Sequence, residues 1–323
     1  MSAKPISESV SQENQARPLL AIGLKVGSVA AFMGMATAIK YAGQLPAGQI
    51  VFFRSFFAIL PICAYLLVVG ELTGAWRTER PVGHVMRGLV GVSAMSLVFF
   101  GLTRLPLPDA IAIGYARPLV TVIFGAVLLG EVVRRYRWGA VVVGLVGVLI
   151  ISWPKLQLFR GSGDFGGDEA LGVAATFLGA CVAGFAMVLV RRLLDTEKTA
   201  TIVLYFSVTA SVFSLATVPF GWQALSPTQS VSLILAGFFG GLGQILLTQS
   251  YRHADVSTIA PFEYTSVVLG IAIGFFVFAE TPGWATIIGS AIVTAAGIFI
   301  IFREHRLGLQ RKGVARRSVT PQG

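Results

Sequence analysis

Two charged residues lie deep inside apolar stretches of this chain, where a charge is costly. Arg117 stands in GYARPLV and Glu263 in APFEYTS. An ionisable group at the centre of a bilayer costs about 2.5 kcal/mol or more, so such residues are the first candidates for function. A guanidinium fits a carboxylate or a phosphate, and a carboxylate in an apolar setting can take up and release a proton near neutral pH. We expect both residues to bind cargo and Glu263 to couple transport to protons; the alternative is a static ion pair that locks two helices.

Pro118 directly follows Arg117 and predicts a bend at the same depth. Proline lacks the backbone donor and clashes with the carbonyl four residues earlier, so the span should kink there. We expect freed carbonyl groups, the Arg117 guanidinium and the Tyr115 hydroxyl to converge at this point.

Two more polar side chains belong to the predicted site. Arg54, in VFFRSFF, can reach the outer headgroups, line the pathway or pair with Glu263, and the sequence leaves these three alternatives open. Gln244 can contact cargo or bond to a neighbouring helix. The predicted substrate-binding set is Arg117, Tyr115, Arg54, Glu263, Tyr264 and Gln244.

Four charged residues nearer the ends of apolar stretches receive structural roles. Lys25 and Arg87 lie close to a predicted inner edge, so their long side chains are expected to snorkel to the headgroups. Glu131 and Glu280 close the stretches GAVLLGE and GFFVFAE. We expect each of these glutamates to accept backbone N–H groups at the start of the helix that follows it.

Ten apolar spans must position these residues. The chain has 323 residues, of which 55% are hydrophobic and 12% charged, and its mean hydropathy of +0.78 excludes a soluble globular protein. About 20 apolar residues cross the core of a bilayer. The predicted spans are residues 19–41, 48–69, 84–105, 109–130, 138–153, 171–191, 200–220, 230–251, 258–280 and 284–302. The predicted fold class is an all-α membrane protein.

The second half of the chain repeats the first. Counting back from the two glutamates places Tyr115 opposite Tyr264, and counting forward places Gly139 opposite Gly289. Each half holds an odd number of spans, so the second half must enter the membrane from the opposite side. Inverted repeats around a midplane site are typical of secondary transporters. The sequence therefore predicts ten transmembrane helices in two inverted five-helix repeats.

Charge is distributed unevenly between the two sides of the predicted bundle. We expect a polar tail (1–18), a first repeat (19–153), a linker loop (154–169), a second repeat (170–303) and a basic tail (304–323). Basic residues gather in the loops on one side, which places both termini in the cytoplasm and the linker in the periplasm. The net charge of +10 thus indicates the lipid bilayer as a partner rather than nucleic acid.

Motifs for catalysis and for bound cofactors are missing from the sequence. His84, His253 and His305 stand far apart, and there is no nucleophile elbow, phosphate-binding lysine loop or metal-spaced Cys/His set. We expect no enzyme activity, no cofactor and no metal. Transport would then be driven by an ion gradient or by the gradient of the cargo itself.

These stretches resemble the drug/metabolite transporter superfamily, EamA type. The matching segments are LPLPDAIAIGYARPLVTVIFGAVLLGE and APFEYTSVVLGIAIGFFVFAE, each followed by a glycine-spaced helix, together with VFFRSFF. The resemblance covers roughly residues 19–303 and implies an inner-membrane carrier with a central cavity lined by both repeats. LPLPDA and ARPLV also resemble the S-adenosylmethionine-type uptake branch. One departure is that Val267 stands opposite Pro118, with the nearest proline at Pro261, so the kinks of the two halves are expected to differ.

The predicted function is secondary active transport of a small organic metabolite across the bacterial cytoplasmic membrane. Alternating access is the expected mechanism, and the arginines favour an anionic or zwitterionic cargo. The alternatives are an S-adenosylmethionine- or vitamin-type uptake carrier of the same family, and a membrane receptor or interaction protein that transports nothing. The identity of the cargo, the direction of transport and the oligomeric state stay open.

Overall fold

The computed structural model describes the backbone of residues 18–130, 133–156, 167–254 and 256–318. Within these ranges the chain is helical, with no β-strand. The α-helices are α1 (Pro18–Ala42), α2 (Ala47–Val69), α3 (Leu72–Ala75), α4 (Pro81–Leu102), α5 (Leu107–Gly114), α6 (Ala116–Leu129), α7 (Arg135–Leu156), α8 (Asp168–Leu194), α9 (Thr199–Leu215), α10 (Pro227–His253), α11 (Val256–Ile259), α12 (Thr265–Phe278) and α13 (Trp284–Ser318). The described residues also form two 3₁₀ helices, Val218–Phe220 and Ala260–Tyr264.

The described residues form nine stretches that are long and apolar enough to cross a membrane. A tenth stretch, α9, is apolar but shorter. Helices α5 and α6 together make the fourth span, and Ala260–Tyr264 with α12 makes the ninth. The seventh span ends earlier than predicted because Pro219 follows α9, and proline cannot continue a helix at that position.

Helix packing follows a pseudo-two-fold pattern. Helices α2 and α9, α5 and α12, and α7 and α13 pack in pairs, and each member of a pair is the repeat counterpart of the other. Two further pairs of contacts are reciprocal: α1 packs on α10 as α4 packs on α8, and α2 packs on α10 as α4 packs on α9. This arrangement is expected when a pseudo-two-fold axis in the membrane plane relates two inverted repeats, because the axis carries a contact of one half onto the equivalent contact of the other. The predicted architecture of two inverted repeats is therefore confirmed.

Glycines let the paired helices approach closely. Gly147 of α7 meets Gly289 of α13, where a Cβ added to Gly289 would lie 2.6 Å from the Gly147 carbonyl oxygen. A Cβ added to Gly237 of α10 would lie 2.4 Å from the Cβ of Phe57 in α2. Lipid tails are as apolar as the side chains, so helices in a membrane associate through close van der Waals packing, which small residues at the contacts allow. The largest buried cluster joins α1, α2, α4 and α5 to α10 and α13, so the core is shared by both halves.

Helices α6 and α12 end in the same way but with different residues. Gly130 and Ala279 are repeat counterparts, and both adopt a left-handed backbone, with φ of +66° and +54°. Glycine adopts this conformation freely, whereas an L-residue with a Cβ is strained there by about 1 kcal/mol. The second half therefore carries a local strain at this turn that the first half avoids.

Candidate functional site

The fourth and ninth spans are both interrupted inside the bundle. Helix α5 ends at Gly114 and α6 begins two residues later, with Tyr115 between them. The Gly114 carbonyl is the one with which Pro118 would clash in a continuous helix, so the proline explains the break. In the second half the interruption is the 3₁₀ helix Ala260–Tyr264, which contains Pro261. The kink at this depth is confirmed, and its form differs between the halves.

Tyr115 and Tyr264 meet at these interruptions. Their rings stack with 4.8 Å between centroids and 20° between planes. The Tyr115 hydroxyl donates to the backbone oxygen of Glu263 at 2.7 Å and lies 2.5 Å from Ser266 Oγ. The two spans are thus joined through residues that counting along the repeat had paired.

Glu263 is shared by two cations. Its Oε2 lies 2.5 Å from Lys25 Nζ, and its Oε1 lies 3.8 Å from Arg117 Nη2. Arg117 is the tenth residue after the start of α5, about 15 Å along the helix and hence near the middle of a 30 Å hydrocarbon core. The Lys25 side chain is 2% exposed, whereas those of Glu263 and Arg117 are 42% and 51% exposed. The cluster is therefore closed on the lysine side and open on the arginine side.

The expectation that Lys25 snorkels to the headgroups was wrong. Lys25 lies on the face of α1 that packs against α10, and its ammonium group is 6.0 Å from the centroid of the Tyr251 ring. Packing on both sides closes the route to the surface, and the carboxylate of Glu263 replaces the headgroup as its partner. A buried lysine in this setting needs such a partner because an unpaired charge is costly there.

Arg54 and Gln244 do not join this cluster. Arg54 is 9% exposed, and its guanidinium lies beside Gly240 of α10 rather than near Glu263 or a headgroup. Of its three alternatives, position therefore excludes pairing with Glu263 and contact with the outer headgroups. Gln244 is one helical turn beyond Gly240, half-buried, and its side chain forms no hydrogen bond with a described residue.

Arg87 also points into the bundle. Its guanidinium carbon lies 3.6 Å from the centroid of the Phe206 ring, and its Nη1 lies beside Gly91, one turn further into the membrane. The expectation that Arg87 snorkels was therefore wrong. The aromatic face of Phe206 and the missing side chain of Gly91 make room for a guanidinium in the interior.

Glu280 ties the two halves together at the face opposite the start of α1. Its Oε2 accepts the backbone N–H of Leu107 at 2.7 Å, and its Oε1 lies 2.8 Å from Lys40 Nζ. We expected Glu280 to cap the following helix, α13, but it caps α5 of the other half because α5 packs against α12. Its counterpart Glu131 lies outside the described residues.

A second buried ion pair lies at the same face. Lys155 Nζ is 2.7 Å from Asp109 Oδ2, and the Thr286 hydroxyl donates to Asp109 Oδ1 at 2.5 Å. The side chains of Asp109 and Lys155 are 5% and 12% exposed. These contacts join α5, α7 and α13, so charged pairs close the bundle at this face.

The face at which α1 begins, called the N-terminal face below, has its own carboxylate. Glu197 lies between α8 and α9 and accepts hydrogen bonds from the Thr78 hydroxyl at 2.6 Å and from the N–H groups of Glu79 and Arg80 at 2.9 and 3.0 Å. Burial raises the pKa of Glu197, but these hydrogen bonds and the nearby His84 outweigh burial and hold that pKa below its usual range.

Sequence reasoning missed Lys25 and Asp109 as partners in ion pairs. A usable signal for Lys25 was its helical face, on which Ala21 and Ser28 are small residues one turn away on either side, as is typical of a packed face. For Asp109, which pairs with Lys155 of α7, we find no such signal in the sequence. Among the described residues, no group of three or more His, Cys, Asp and Glu side chains could hold a metal ion.

Comparison with known proteins places these features in a family. A model described as the EamA-like transporter family matches residues 19–153 and 170–303. An S-adenosylmethionine uptake transporter of Rickettsia felis is 27% identical over 83% of this chain and 87% of its own length. A pseudopaline exporter of Pseudomonas aeruginosa is 29% identical over 83% and 90%, and a riboflavin transporter of Vibrio cholerae is 27% identical over 84% and 88%.

One protein of known crystal structure superposes with a TM-score of 0.62, is 20% identical, and covers 89% of this chain and 98% of its own. At that identity the likeness concerns the fold alone. The relatives are named as transporters of different small molecules, and they include uptake and export proteins. The family model covers both repeats and so accounts for the doubled architecture. The chain belongs to the EamA-like transporter family.

Proposed function

We propose that the protein is a secondary active transporter that moves a small anionic or zwitterionic metabolite by alternating access. The observation that carries the proposal is the shared carboxylate of Glu263, which Lys25 and Arg117 hold where the fourth and ninth spans are interrupted. Unwound backbone near the bilayer midplane is where secondary transporters bind cargo. Membership of a transporter family and relatives named for small-molecule transport support this function.

The two ion pairs of Glu263 differ in a way that suits exchange with cargo. The Arg117 contact of 3.8 Å is too long for a hydrogen bond, and both side chains are about half-exposed. Polar surface accessible at this depth must border water rather than lipid. Arg117 is therefore the partner that can turn to a cargo carboxylate or phosphate, while Lys25 stays bound to Glu263.

Glu263 supplies a route for proton coupling. A proton on this carboxylate removes its attraction for Lys25 and Arg117 together. A cargo ammonium group and a proton would compete for the same oxygens, so the site would hold one or the other. Competition of this kind couples the cargo gradient to the proton gradient without any further residue.

The charged pairs at the opposite face support alternating access. Lys40 with Glu280 bridges the two halves there, and Lys155 with Asp109 joins α5 to α7 of the first half, with Thr286 of the second half bonded to Asp109. Both ion pairs are largely buried. At the N-terminal face, Arg252 and Glu71 form a pair that is about half-exposed and 3.6 Å apart, although His84 and Glu197 lie buried there at 3.7 Å. We assign this conformation to a state open toward the N-terminal face. The basic loops and tail support a cytoplasmic assignment of that face in a bacterial inner membrane.

An S-adenosylmethionine-type cargo is the second candidate. A relative named for S-adenosylmethionine uptake is 27% identical over 83% of this chain. The cluster of one carboxylate with two cations suits a cargo that carries an amino group and a carboxylate, as an amino-acid derivative does.

Counterflow in proteoliposomes tests this function. Proteoliposomes that contain the purified protein would be loaded in turn with unlabelled S-adenosylmethionine, riboflavin or a mixture of amino acids. Entry of the same compound in labelled form would then be followed. We expect saturable exchange for one class, a higher apparent KM in Arg117→Gln at equal protein abundance, and exchange that no longer responds to a pH gradient in Glu263→Gln. The exposed loop variant Arg134→Gln is the matched control and should behave as wild type.

Two results would contradict the proposal. Exchange that Arg117→Gln leaves unchanged would remove Arg117 from the cargo site. Absence of exchange for every compound, in vesicles where a related transporter works, would favour a receptor that transports nothing.

A further inference from the structure

Two arginines inside the bundle have no anionic partner among the described residues. Arg54 is 9% exposed, and its Nε is fully buried without a hydrogen bond. Arg87 has two such atoms, Nε and Nη1. Neither guanidinium forms an ion pair or a hydrogen bond with a described residue. Buried donors in native proteins are almost always satisfied, so these atoms need an explanation.

Both guanidinium groups lie near the middle of the membrane. A Cβ added to Gly240 of α10 would lie 3.2 Å from Arg54 Nε, and Gly240 is about 20 Å along a helix of about 40 Å. A Cβ added to Gly91 of α4 would lie 2.6 Å from Arg87 Nη1, and Gly91 is about 15 Å from the start of its helix. Neither side chain reaches a headgroup at this depth.

The two arginines come from helices that pack on each other. Arg54 lies on α2 and Arg87 on α4, and both helices also pack on α9, so the two positive charges belong to the same part of the bundle. Arg87 makes a cation–π contact with the ring of Phe206, the repeat counterpart of Arg54. That contact does not offset two unpaired charges in an apolar interior. An anion placed between the guanidinium groups would offset both.

We propose that Arg54 and Arg87 form an anion-binding subsite that takes the carboxylate or phosphate group of the cargo. This subsite rests on the proposed transport function and is separate from the cluster of Lys25, Glu263 and Arg117. Two guanidinium groups without carboxylate partners present free donors in the geometry that carboxylates and phosphates accept. A lipid phosphate is not the ligand meant here, since headgroups lie about 15 Å away.

Helices α1 and α10 both run past the Arg54–Arg87 subsite and the cluster of Lys25, Glu263 and Arg117. Arg54 lies near Met35, whose sulfur would also contact a Cβ at Gly240, and Lys25 is ten residues earlier on α1. The sites are therefore about 15 Å apart along that helix. Gln244 lies one turn beyond Gly240 on α10, between them. The arrangement fits an elongated cargo with its anionic group at the two arginines and a cationic group toward Glu263.

Binding of simple anions tests the subsite without any transport. The full chain in phosphatidylcholine nanodiscs would be titrated with sodium acetate and with sodium phosphate, balanced by sodium chloride at constant ionic strength, while its melting midpoint is recorded. We expect a saturable rise in midpoint for wild type. Arg54→Gln and Arg87→Gln should abolish that rise. Arg87→Lys keeps the positive charge but loses the planar guanidinium that can donate two parallel hydrogen bonds, so it should weaken the apparent affinity for the anion about tenfold.

Arg104→Gln is the matched control. Its guanidinium carbon lies 3.6 Å from the Phe100 ring, the same distance as in the Arg87–Phe206 contact, but Arg104 also lies 3.6 Å from Asp168. This variant should keep the anion response. A second readout is the midpoint in chloride alone, which should rise in Arg54→Gln and Arg87→Gln because an unpaired buried charge has been removed.

Three results would overturn the subsite: no response to either anion in wild type, an equal loss of response in Arg104→Gln, or a lower midpoint with the response retained in Arg54→Gln and Arg87→Gln. The titration and the counterflow assay fail independently. Anion binding without exchange of any cargo would leave the subsite standing and reject the transport proposal, and exchange without anion binding would do the reverse.

Discussion

Tyr115 and Tyr264 are equivalent in the two repeats and stack with 4.8 Å between ring centroids, yet they differ in what their hydroxyl groups do. The Tyr115 hydroxyl donates to the Glu263 carbonyl oxygen at 2.7 Å and lies 2.5 Å from Ser266 Oγ. The Tyr264 hydroxyl forms no hydrogen bond with a described residue and fills the space above Gly297, where an added Cβ would lie 1.5 Å from it. A pair that is symmetric in position is therefore asymmetric in bonding.

Because of this difference, we expect Tyr115→Phe and Tyr264→Phe to change the free energy of unfolding by different amounts. Tyr115→Phe should lower the free energy of unfolding by about 1 kcal/mol, because the Glu263 carbonyl loses its donor. Tyr264→Phe should change it by less than about 0.5 kcal/mol. Both variants keep the ring stack, so denaturant titration in micelles compares the hydroxyl groups alone. Equal losses in the two variants would show that the Tyr115 hydrogen bonds contribute nothing.

The Lys25–Glu263 pair should behave as a coupled unit in unfolding measurements. Glu263→Gln leaves an ammonium group that is 2% exposed without a counter-charge, and should cost about 3–5 kcal/mol. Lys25→Met leaves Glu263 with Arg117 as a partner and should cost less. The double variant should recover most of the loss in Glu263→Gln, which a double-mutant cycle detects. Additive losses would mean that the pair does not form.

Repeat counterparts offer a matched test of helix packing. Gly289→Ala should destabilise the protein by about 1–3 kcal/mol, since its new Cβ would lie 2.6 Å from the Gly147 carbonyl oxygen and 2.4 Å from Ile151 Cγ1. Gly139→Ala, at the equivalent position of α7, meets nothing within 4 Å and should be neutral or slightly stabilising. Melting midpoints of the two variants in the same detergent give the comparison. Similar melting midpoints for Gly289→Ala and Gly139→Ala would show that α7 and α13 do not make close contact at Gly289.

The ion pairs at the opposite face should control which side the site opens to. Lys155→Met leaves Asp109 buried without its counter-charge and should open that face in a larger share of molecules. A cysteine introduced at Gln244, in a background with Cys63 and Cys181 replaced by alanine, reports this opening. Its labelling by an impermeant maleimide from the opposite face should rise about tenfold, which corresponds to a shift of about 1.4 kcal/mol between the two states.

The control for this labelling is Lys198→Met, which removes an exposed lysine at the N-terminal face. It should leave labelling from the opposite face unchanged. If Lys155→Met and Lys198→Met label alike, the buried pair does not hold that face closed.

Glu197 predicts a pH dependence of stability on the acid side. Its pKa is held below the usual range, because hydrogen bonds from Thr78, Glu79 and Arg80 outweigh the effect of burial. The folded state thus binds a proton less readily than the unfolded state, and the stabilisation is complete above the ordinary glutamate pKa of about 4.3. It is lost as pH falls through the lower folded-state pKa. Melting midpoints between pH 6 and 3.5 should fall less steeply in Glu197→Gln than in wild type, and parallel curves would contradict this.

Counting along the repeat was enough to predict the architecture and part of the site. Register alone placed Tyr115 and Tyr264 at equivalent positions of the two repeats. Their contact was not predicted; it arises because the inverted halves meet at their shared axis. The ion pair between Arg117 and Glu263 was one of the alternatives, since a lone intramembrane carboxylate has few partners at its depth. Pro118 indicated the interruption because its chemistry acts on a residue only four positions away.

Partners from distant helices were beyond such reasoning. Lys25 and Arg87 looked like snorkelling residues because their distance from a helix end is visible in sequence, whereas the packing that blocks or opens their route is not. Glu280 was expected to cap its neighbour in sequence, but the free N–H it accepts belongs to Leu107, far earlier in the chain. Such partners depend on how the halves interlock, which a single sequence does not specify.

The unequal turns at Gly130 and Ala279, and the unequal interruptions of the fourth and ninth spans, have an energetic consequence for a carrier built from two halves. If the halves were identical, exchanging their roles would regenerate the same structure facing the other way, and the two orientations would be equally populated. Every mismatch between counterparts adds a free-energy difference between them. In the proposed alternating-access mechanism, the resting orientation of the empty carrier is set by where its duplicated halves have diverged, both at the interruptions that hold the candidate site and at the turns of Gly130 and Ala279 beyond it.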